Sequence, residues 1–323
     1  MRGIGRRDSA RSLRADTARP AGETKRAVRA NLGPACRAVF LLGLLMVTTR
    51  STMSNPQPAK ESVFAKDNIV AWCIVPFDAK KRGPAERAEM LNRLGINKLA
   101  YDWREEHVPT FEREIVVLKE HGIEFFAFWG EHEEMFRLFE KHGIRPQVWQ
   151  TVPSPASGTQ EEKVEAVARR LLPLVDRTRQ LGCKLGLYNH GGWGGEPRNM
   201  VAVCEWLQQN ADGGHVGIVY NFHHGHEHIN DFAEVFALMK PYLFCLNLNG
   251  MNDGAKPKIL PLGEGQHEKA MMQTVLASGY RGPIGILDHR EQTDAERSLT
   301  DNLEGLKKLL AQMGDTAALE TYR

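Results

Sequence analysis

Eight short apolar runs alternate with amphipathic stretches along this chain, and that repeat restricts the fold more than any other feature. The apolar runs cover residues 69–75, 96–101, 123–129, 145–151, 184–189, 215–221, 243–249 and 283–288. The amphipathic stretches have the helical period and cover residues 85–94, 110–121, 133–142, 161–181, 197–210, 229–240, 268–278 and 295–313. Several of these helices end in a glycine that starts the next run, as in Leu94-Gly95-Ile96. Eight such units predict an α/β fold with a closed (β/α)8 TIM barrel.

Charge divides the chain into a basic tail and an acidic body. Residues 1–55 hold eleven Lys/Arg against three Asp/Glu, a net charge of +8. The remaining 31 Lys/Arg and 37 Asp/Glu leave residues 56–323 at −6. Because a nucleic-acid partner requires a basic face on the folded domain, the composition argues against nucleic-acid binding. We expect residues 56–323 to form a single barrel domain, either as a monomer or as a homo-oligomer.

The tail contains an apolar segment at residues 38–49, preceded by Arg29 and Arg37. A segment of this length is too short to span a bilayer, so we predict no stable membrane span. The order of charged and apolar residues is that of a signal peptide, which favours a periplasmic or secreted protein over a cytoplasmic one. A start codon further downstream and a transit-like segment remain alternatives.

Two patterns that could indicate a cofactor site are incomplete. The glycine-rich segment 190–197 lacks both the Lys-Ser/Thr pair of a P-loop and the G-x-G-x-x-G spacing of a dinucleotide site, so no nucleotide cofactor is predicted. We interpret it as a close-approach or mobile loop over the site, with Pro197 near the start of the next helix. The five cysteines form no C-x-x-C pair and are interpreted as small core residues.

The carboxyl ends of the predicted strands, where a (β/α)8 barrel forms its active site, are rich in aromatic and amide side chains. The candidate substrate-binding residues are Trp103, Trp129, Gln150, Asn189, Trp193, Asn247, Asn249 and Glu264. Indoles combined with amides are typical of a pocket that stacks on a sugar ring and hydrogen-bonds its hydroxyls. A small carbohydrate substrate is therefore predicted. The alternatives are that the indoles plug the barrel ends and that Glu264 is a turn residue.

Three titratable residues at the strand ends are candidate catalytic groups. Asn221 and His224 directly follow the buried sixth strand, where a solvated loop would not need to converge polar groups. His190 follows the fifth strand and Asp288 the eighth. Since a neutral imidazole has a pKa near 6.5, His190 and His224 could act as an acid/base pair. The predicted catalytic residues are His190, His224 and Asp288.

The repeated βα units, the Asn221-x-x-His224 pattern and the P-L-G-E-G segment at 261–265 resemble the xylose isomerase-like TIM barrel family over about residues 68–312. This sugar isomerase/epimerase group also includes endonuclease-type members. The resemblance implies one divalent metal ion, held by a Glu, an Asp, a His and a Glu at the ends of strands five to eight. The corresponding positions here are Tyr188 or its neighbours Asn189 and His190, then Asn221, Asn247 and Asp288, while His224 matches a substrate-contacting histidine.

Only Asp288 keeps a carboxylate among those positions. Mg²⁺ and Mn²⁺ prefer charged oxygen ligands, so the neutral replacements remove most of the expected charge. Either a Mn²⁺ or Mg²⁺ ion is held differently, by His190, Asn221 and Asp288, or the site functions without a metal.

The resemblance implies an isomerase or epimerase of carbohydrate metabolism that removes a proton next to a carbonyl. A lyase or hydratase on keto-sugars shares that step and is the close alternative. A carbohydrate-binding barrel that has lost both its metal site and its activity is an alternative from another class. Phosphodiester cleavage is disfavoured by the acidic body and the missing ligands.

Overall fold

A computed structural model describes residues 62–323, and in it eight parallel strands close into a barrel in sequence order. The last strand pairs with the first, as in the register Val70 to Gly285. The strands are β1 (Ile69–Trp72), β2 (Lys98–Tyr101), β3 (Glu124–Trp129), β4 (Gln147–Thr151), β5 (Lys184–Tyr188), β6 (Val216–Asn221), β7 (Leu243–Leu248) and β8 (Ile284–Leu287). The predicted (β/α)8 barrel is confirmed. The basic tail predicted for residues 1–55 and its apolar segment 38–49 lie outside the described residues.

The helices follow the strands at the predicted places, with small differences at their ends. They are α1 (Pro84–Leu94), α2 (Phe111–Glu120), α3 (Glu133–His142), α4 (Gln160–Leu181), α5 (Gly192–Gly195), α6 (Pro197–Asn210), α7 (Phe232–Met239), α8 (Glu268–Ala277), α9 (Ala295–Met313) and α10 (Thr316–Glu320). The short helices α5 and α10 are additions to the predicted set. Gly182 ends α4 with a φ of 68°, the left-handed conformation expected of a glycine cap. In residues 62–323, no helix combines the length and apolar character needed to cross a membrane.

Side chains alternate along each strand between the barrel interior and the layer facing the helices. On β8, Ile286 packs in the outer cluster and Leu287 in the inner one. On β5, Leu187 is outside and Tyr188 inside. Because successive side chains point to opposite faces of a strand, this alternation decides which residue at each strand end reaches the barrel mouth.

Candidate active site

A cavity of about 190 Å³ lies at the carboxyl ends of the strands. It is lined by Trp72, Cys73, Phe77, Asp102, Arg104, Trp129, Tyr188, His190, Asn221, His223, His224, Leu287 and His289. A second cavity of about 530 Å³ shares His190, His223 and His224 with it and extends under the glycine-rich loop and Lys258. The position agrees with the general location of active sites in this architecture.

The aromatic residues of the mouth divide into a buried plug and an accessible wall. Trp149 is fully buried and Trp72 is 2% exposed, so both fill the barrel interior. Trp129 is only half-buried and lines the cavity, with its ring 4.6 Å from that of Tyr188 in an edge-on arrangement. Some indoles therefore plug the barrel end, whereas others are placed for ligand stacking. Of the tryptophans predicted to bind substrate, Trp129 is the one that lines this cavity.

Asp102 is the buried carboxyl group of the cavity. It is 3% exposed, and Oδ1 accepts a 3.4 Å hydrogen bond from the Val75 N–H. Within residues 62–323, Oδ2 has no hydrogen-bond partner. Burial raises the pKa of Asp102 to about 7, against the opposing effect of Arg104. This carboxyl group can therefore gain or lose a proton near neutral pH.

A group of histidines forms the opposite part of the mouth. The His190 and His224 rings lie 4.4 Å apart, as do those of His223 and His224, and His289 lies 5.1 Å from His223. Burial lowers the pKa of His224 to about 2, and the neighbouring His223 and His190 lower it further. The pKa of His223 falls to about 3, again mainly through burial. His224 is therefore a neutral imidazole at physiological pH, suited to hydrogen bonding rather than to accepting a full proton.

Asn221 is buried at the end of β6 and lines the cavity, as predicted for a residue of the mouth. Its Oδ1 accepts the His223 backbone N–H at 3.0 Å, and its Nδ2 donates to the Tyr188 hydroxyl oxygen. The Trp72 Nε1–H donates to the same oxygen at 3.1 Å. These bonds connect β1, β5 and β6 across the floor of the cavity.

Asp288 does not reach the cavity. Its carboxyl group is fully buried and has no hydrogen-bond partner in the described part of the chain, and its nearest cation is Arg290, whose Nε lies 3.7 Å from Oδ1. Burial also raises its pKa to about 7. Since Leu287 and His289 line the cavity, the residue between them faces the helical layer. The predicted catalytic group His190, His224 and Asp288 is thus only partly assembled, by the two histidines.

Because side chains alternate between the two faces of each strand, three predicted substrate-binding residues do not line the cavity. Trp103 packs with Phe128 and donates its Nε1–H to the Trp129 carbonyl at 2.8 Å. Gln150 lines a separate cavity of about 410 Å³. Asn189 is fully buried, and its amide bridges β5 and β6 by hydrogen bonds of 2.7 and 3.1 Å to the Asn221 backbone. Trp103 and Asn189 therefore make contacts within the barrel wall, whereas Gln150 faces a different cavity.

Two predicted asparagines on and after β7 support the barrel rather than the cavity. Asn247 is buried inside the barrel and packs against Gly285. A Cβ built on Gly285 would lie 1.7 Å from the Oδ1 atom of Asn247, so only glycine fits at that position. Asn249 holds the following loop through bonds to the carbonyls of Gly250 at 2.8 Å and Lys258 at 3.0 Å.

Trp193 and Glu264 also lie away from the lining of the two cavities. Trp193 donates its Nε1–H to Gln160 at 3.1 Å. Glu264 is exposed, whereas the carboxylate of Glu268 organises the P-L-G-E-G segment by accepting backbone N–H groups from Met251, Gly263 and Gly265. The turn interpretation of Glu264 fits this arrangement.

The glycine-rich loop contains the predicted close approach. A Cβ at Gly194 would lie 2.1 Å from the Val152 carbonyl oxygen, so only glycine fits there. Gly191, Gly192 and Gly195 line the larger cavity. Pro197 occupies the first turn of α6, as expected.

The residues at the strand ends do not fit the carboxylate-rich metal site that the fold family implies. Of the tentative ligands, His190 and Asn221 line the cavity, but Asp288 faces the helical layer. The Asn221 amide is already bonded on both sides, and Asn247 points into the barrel below. Within residues 62–323, no group of three or more His, Cys, Asp or Glu side chains has the arrangement to hold a metal ion. The donor set therefore does not match a Mg²⁺ or Mn²⁺ site.

The cavity residues that were not among the predicted site residues include Asp102, Arg104, Tyr188, His223 and His289. The signal that could have identified them is the strand alternation. Asp102 precedes the chosen Trp103, Tyr188 precedes Asn189, and His289 follows Asp288. Counting every second residue from the inward-facing apolar residues of each strand would have identified Asp102, Tyr188 and His289.

Solved structures with the same architecture are similar in fold at low sequence identity. The apo form of 3-keto-D-glucoside 4-epimerase YcjR from E. coli superposes with a TM-score of 0.58 at 15% identity, over 75% of this chain and 100% of that one. The probable 3-DHS dehydratase AsbF from Bacillus anthracis has a TM-score of 0.58 at 15% identity, over 73% and 98%. The IOLI protein with a bound zinc atom has a TM-score of 0.59 at 13% identity, over 76% and 98%. These similarities show the fold.

No curated protein matches this chain in sequence. The family model for the xylose isomerase-like TIM barrel matches residues 92–309, which is most of the barrel. Together with the closed eight-stranded sheet, this match assigns the family: the chain belongs to the xylose isomerase-like TIM barrels.

Proposed function

We propose that this protein is an enzyme that removes and returns a proton on the carbon next to a carbonyl group of a small carbohydrate-like substrate, as a sugar isomerase or epimerase does. The observation that carries the proposal is Asp102. It is a buried carboxyl group in the cavity at the barrel mouth, with a pKa raised to about 7 and one oxygen without a hydrogen-bond partner among residues 62–323. A general base is most effective when its pKa lies near the working pH.

The histidines complement this carboxyl group. His190 is exposed and lines both cavities, so its ring is accessible to solvent and to a bound substrate. His224 remains neutral and can donate a hydrogen bond to a substrate oxygen. In this division of roles Asp102 takes the proton from carbon, His190 is the second proton-transfer group and His224 orients the substrate.

The walls of the cavity fit a sugar-like ligand. The half-buried Trp129 offers an apolar surface for a ring, and Asn221, His223 and Arg104 place polar groups around it. Two proteins of similar fold are a 3-keto-D-glucoside 4-epimerase and a probable 3-DHS dehydratase. Both reaction types can begin with the loss of a proton beside a carbonyl, so a lyase or hydratase on keto-sugars is the close alternative.

Solvent isotope exchange tests the proposal without knowledge of the final product. The full-length protein is incubated in D₂O with D-fructose, D-tagatose and a 3-keto-glucoside, and deuterium at the carbon beside the carbonyl is followed by NMR. The proposal expects the wild-type protein to incorporate deuterium into at least one of these sugars. The Asp102→Asn variant should incorporate none. If the sugars bind, by calorimetry, but the wild-type protein exchanges none of them, the protein is a carbohydrate-binding barrel instead.

A further inference from the structure

The hydroxyl group of Tyr188 has both of its acceptor positions occupied. The Trp72 Nε1–H donates to this oxygen at 3.1 Å, and the Asn221 Nδ2–H donates to it from another strand. A phenolic oxygen accepts about two hydrogen bonds and donates one. With two donors in place, only its own proton remains for a further bond.

The direction of these bonds follows from the chemistry of the partners. An indole N–H can only donate. The Asn221 amide could in principle be reversed, but its Oδ1 accepts the backbone N–H of His223 at 3.0 Å, and a reversed amide would place two N–H groups against each other. The amide nitrogen therefore faces Tyr188, and the tyrosine oxygen accepts from both sides.

The proton of this hydroxyl has no acceptor among residues 62–323, although Tyr188 is only 2% exposed. A buried donor without a partner is costly, so an acceptor from a bound molecule would stabilise it. Tyr188 lines the cavity together with Asp102, His190 and His224. A phenol has an ordinary pKa near 10, so the hydroxyl carries its proton at neutral pH.

We infer that Tyr188 is a catalytic residue that donates a hydrogen bond to the carbonyl oxygen of the substrate. This role rests on the proposed function. When the Asp102 carboxylate removes the proton from the neighbouring carbon, the C–H electron pair forms the new C=C bond and the carbonyl π pair moves to oxygen, giving an enolate. The Tyr188 O–H stabilises that negative oxygen without transferring its proton, and return of the proton to carbon reverses the electron flow.

The inference gives a physical reason for the mismatch with a metal site. Polarisation of the substrate carbonyl needs a hydrogen-bond donor or a cation beside its oxygen, and the strand-end residues among 62–323 do not form a carboxylate cage for a metal ion. Asn221 occupies one position at which the family resemblance implies a metal ligand, Tyr188 is one of three candidates for another, and here the two are bonded to each other. A polarised hydroxyl donor thus lies where the resemblance implies a cation.

The direction of the hydroxyl can be observed directly. A neutron structure of the D₂O-exchanged full-length protein should show the Tyr188 deuteron directed into the cavity, towards solvent. A deuteron on the line to Asn221 or to Trp72 would overturn the inference, because the group would then have no donor for a substrate.

Variants test the chemical role in the isotope-exchange reaction. Tyr188→Phe should lower kcat about 100- to 1,000-fold, the usual effect of losing one oxyanion donor, with KM changed by less than about threefold. Asn221→Asp keeps the phenol but replaces the amide donor by an acceptor that draws the hydroxyl proton away, so kcat should fall in the same way. Asn221 also lines the cavity, so Tyr188→Phe is the variant that decides.

Tyr220→Phe is the matched control. Tyr220 is also fully buried, on the neighbouring strand, but it lies outside the cavity lining, so this variant should keep the wild-type kcat. Circular dichroism confirms that each variant is folded, and a folded Tyr188→Phe variant with kcat within threefold of wild type overturns the inference alone. Absence of exchange by the wild-type protein overturns the proposed function, and this role with it.

Discussion

Asp102 and Asp288 are both buried carboxyl groups with a pKa raised to about 7, yet only Asp102 lines the cavity at the barrel mouth. Burial is the main cause of the raised pKa in both, so the perturbation alone does not distinguish a reactive group from a structural one. Their difference is the side of the strand: Asp102 faces the interior and Asp288 faces the helical layer. Its position in the cavity, together with its pKa, is the reason we propose Asp102 as the base.

The activity should depend on pH through Asp102. A general base must be ionised, and the pKa of this carboxyl group is about 7. The rate of deuterium exchange should therefore rise with pH and level off above 7, falling about tenfold per pH unit below it. His224, with a pKa near 2, does not titrate in this range. A rate that is constant from pH 5 to 8 would contradict the assignment of Asp102 as the base.

Stability should depend on pH through the same group, with the opposite sign. The pKa of Asp102 is about 7 in the folded protein and about 3.9 in an unfolded chain, so the folded state binds the proton more tightly. Its contribution to stability is fully present below pH 4 and is lost as the pH rises through 7. The Asp102→Asn variant has no titrating group at this position, so it does not lose this stability as the pH rises.

Between pH 5 and pH 8, the free energy of unfolding of Asp102→Asn should therefore increase relative to wild type by about 3 kcal/mol. Urea denaturation of both proteins at the two pH values measures this difference. Parallel behaviour of the two proteins would show that Asp102 is ionised throughout.

The ion pair between Arg87 of α1 and Glu114 of α2 should be important for stability. Arg87 is 3% exposed and Glu114 is fully buried, and Arg87 Nη1 lies 2.5 Å from Glu114 Oε2. Arg87→Met leaves a buried carboxylate without its cation and should lower the free energy of unfolding by about 3–5 kcal/mol. The double variant Arg87→Met/Glu114→Leu should recover much of that loss, and the exposed pair Arg137–Glu134 is the control that should change little. If the loss of unfolding free energy in the double variant equals the sum of the losses in the two single variants, this account is contradicted.

Removal of divalent metal ions should leave the exchange reaction intact. The tentative ligands His190, Asn221 and Asp288 do not converge, so the strand ends provide no carboxylate-rich site for Mg²⁺ or Mn²⁺. Dialysis of the full-length protein against EDTA should change the rate by less than twofold, and mass spectrometry should find less than one ion per chain. A stoichiometric ion whose loss abolishes exchange would contradict this prediction.

The barrel could be predicted from the sequence because its signal is repeated eight times. Each buried parallel strand is a short apolar run, and each helix carries its own period and cap, so errors of a few residues at one end do not change the architecture. The site depends on single residues, and there one step along a strand reverses the direction of a side chain. Trp103, Asn189 and Asp288 were each chosen one position away from the residue that lines the cavity.

Other features of the site depend on contacts that no local pattern encodes. Glu264 and Glu268 are both plausible carboxylates of one segment, and only the tertiary structure shows that the three backbone N–H groups point at Glu268. The pKa of His224 is likewise lowered by burial and by His190, and both depend on the folded barrel. Long-range packing therefore decides the roles that the sequence leaves open.

The central claim, that Asp102 is the group that removes the proton from carbon, is tested most directly by comparing two variants in the same isotope-exchange assay. Asp102→Asn and Asp288→Asn each neutralise one buried carboxyl group of similar pKa, and only the first lies in the cavity. The account predicts that kcat falls at least 1,000-fold in Asp102→Asn and stays within about threefold of wild type in Asp288→Asn. Normal exchange in folded Asp102→Asn, or its loss only in Asp288→Asn, would contradict it.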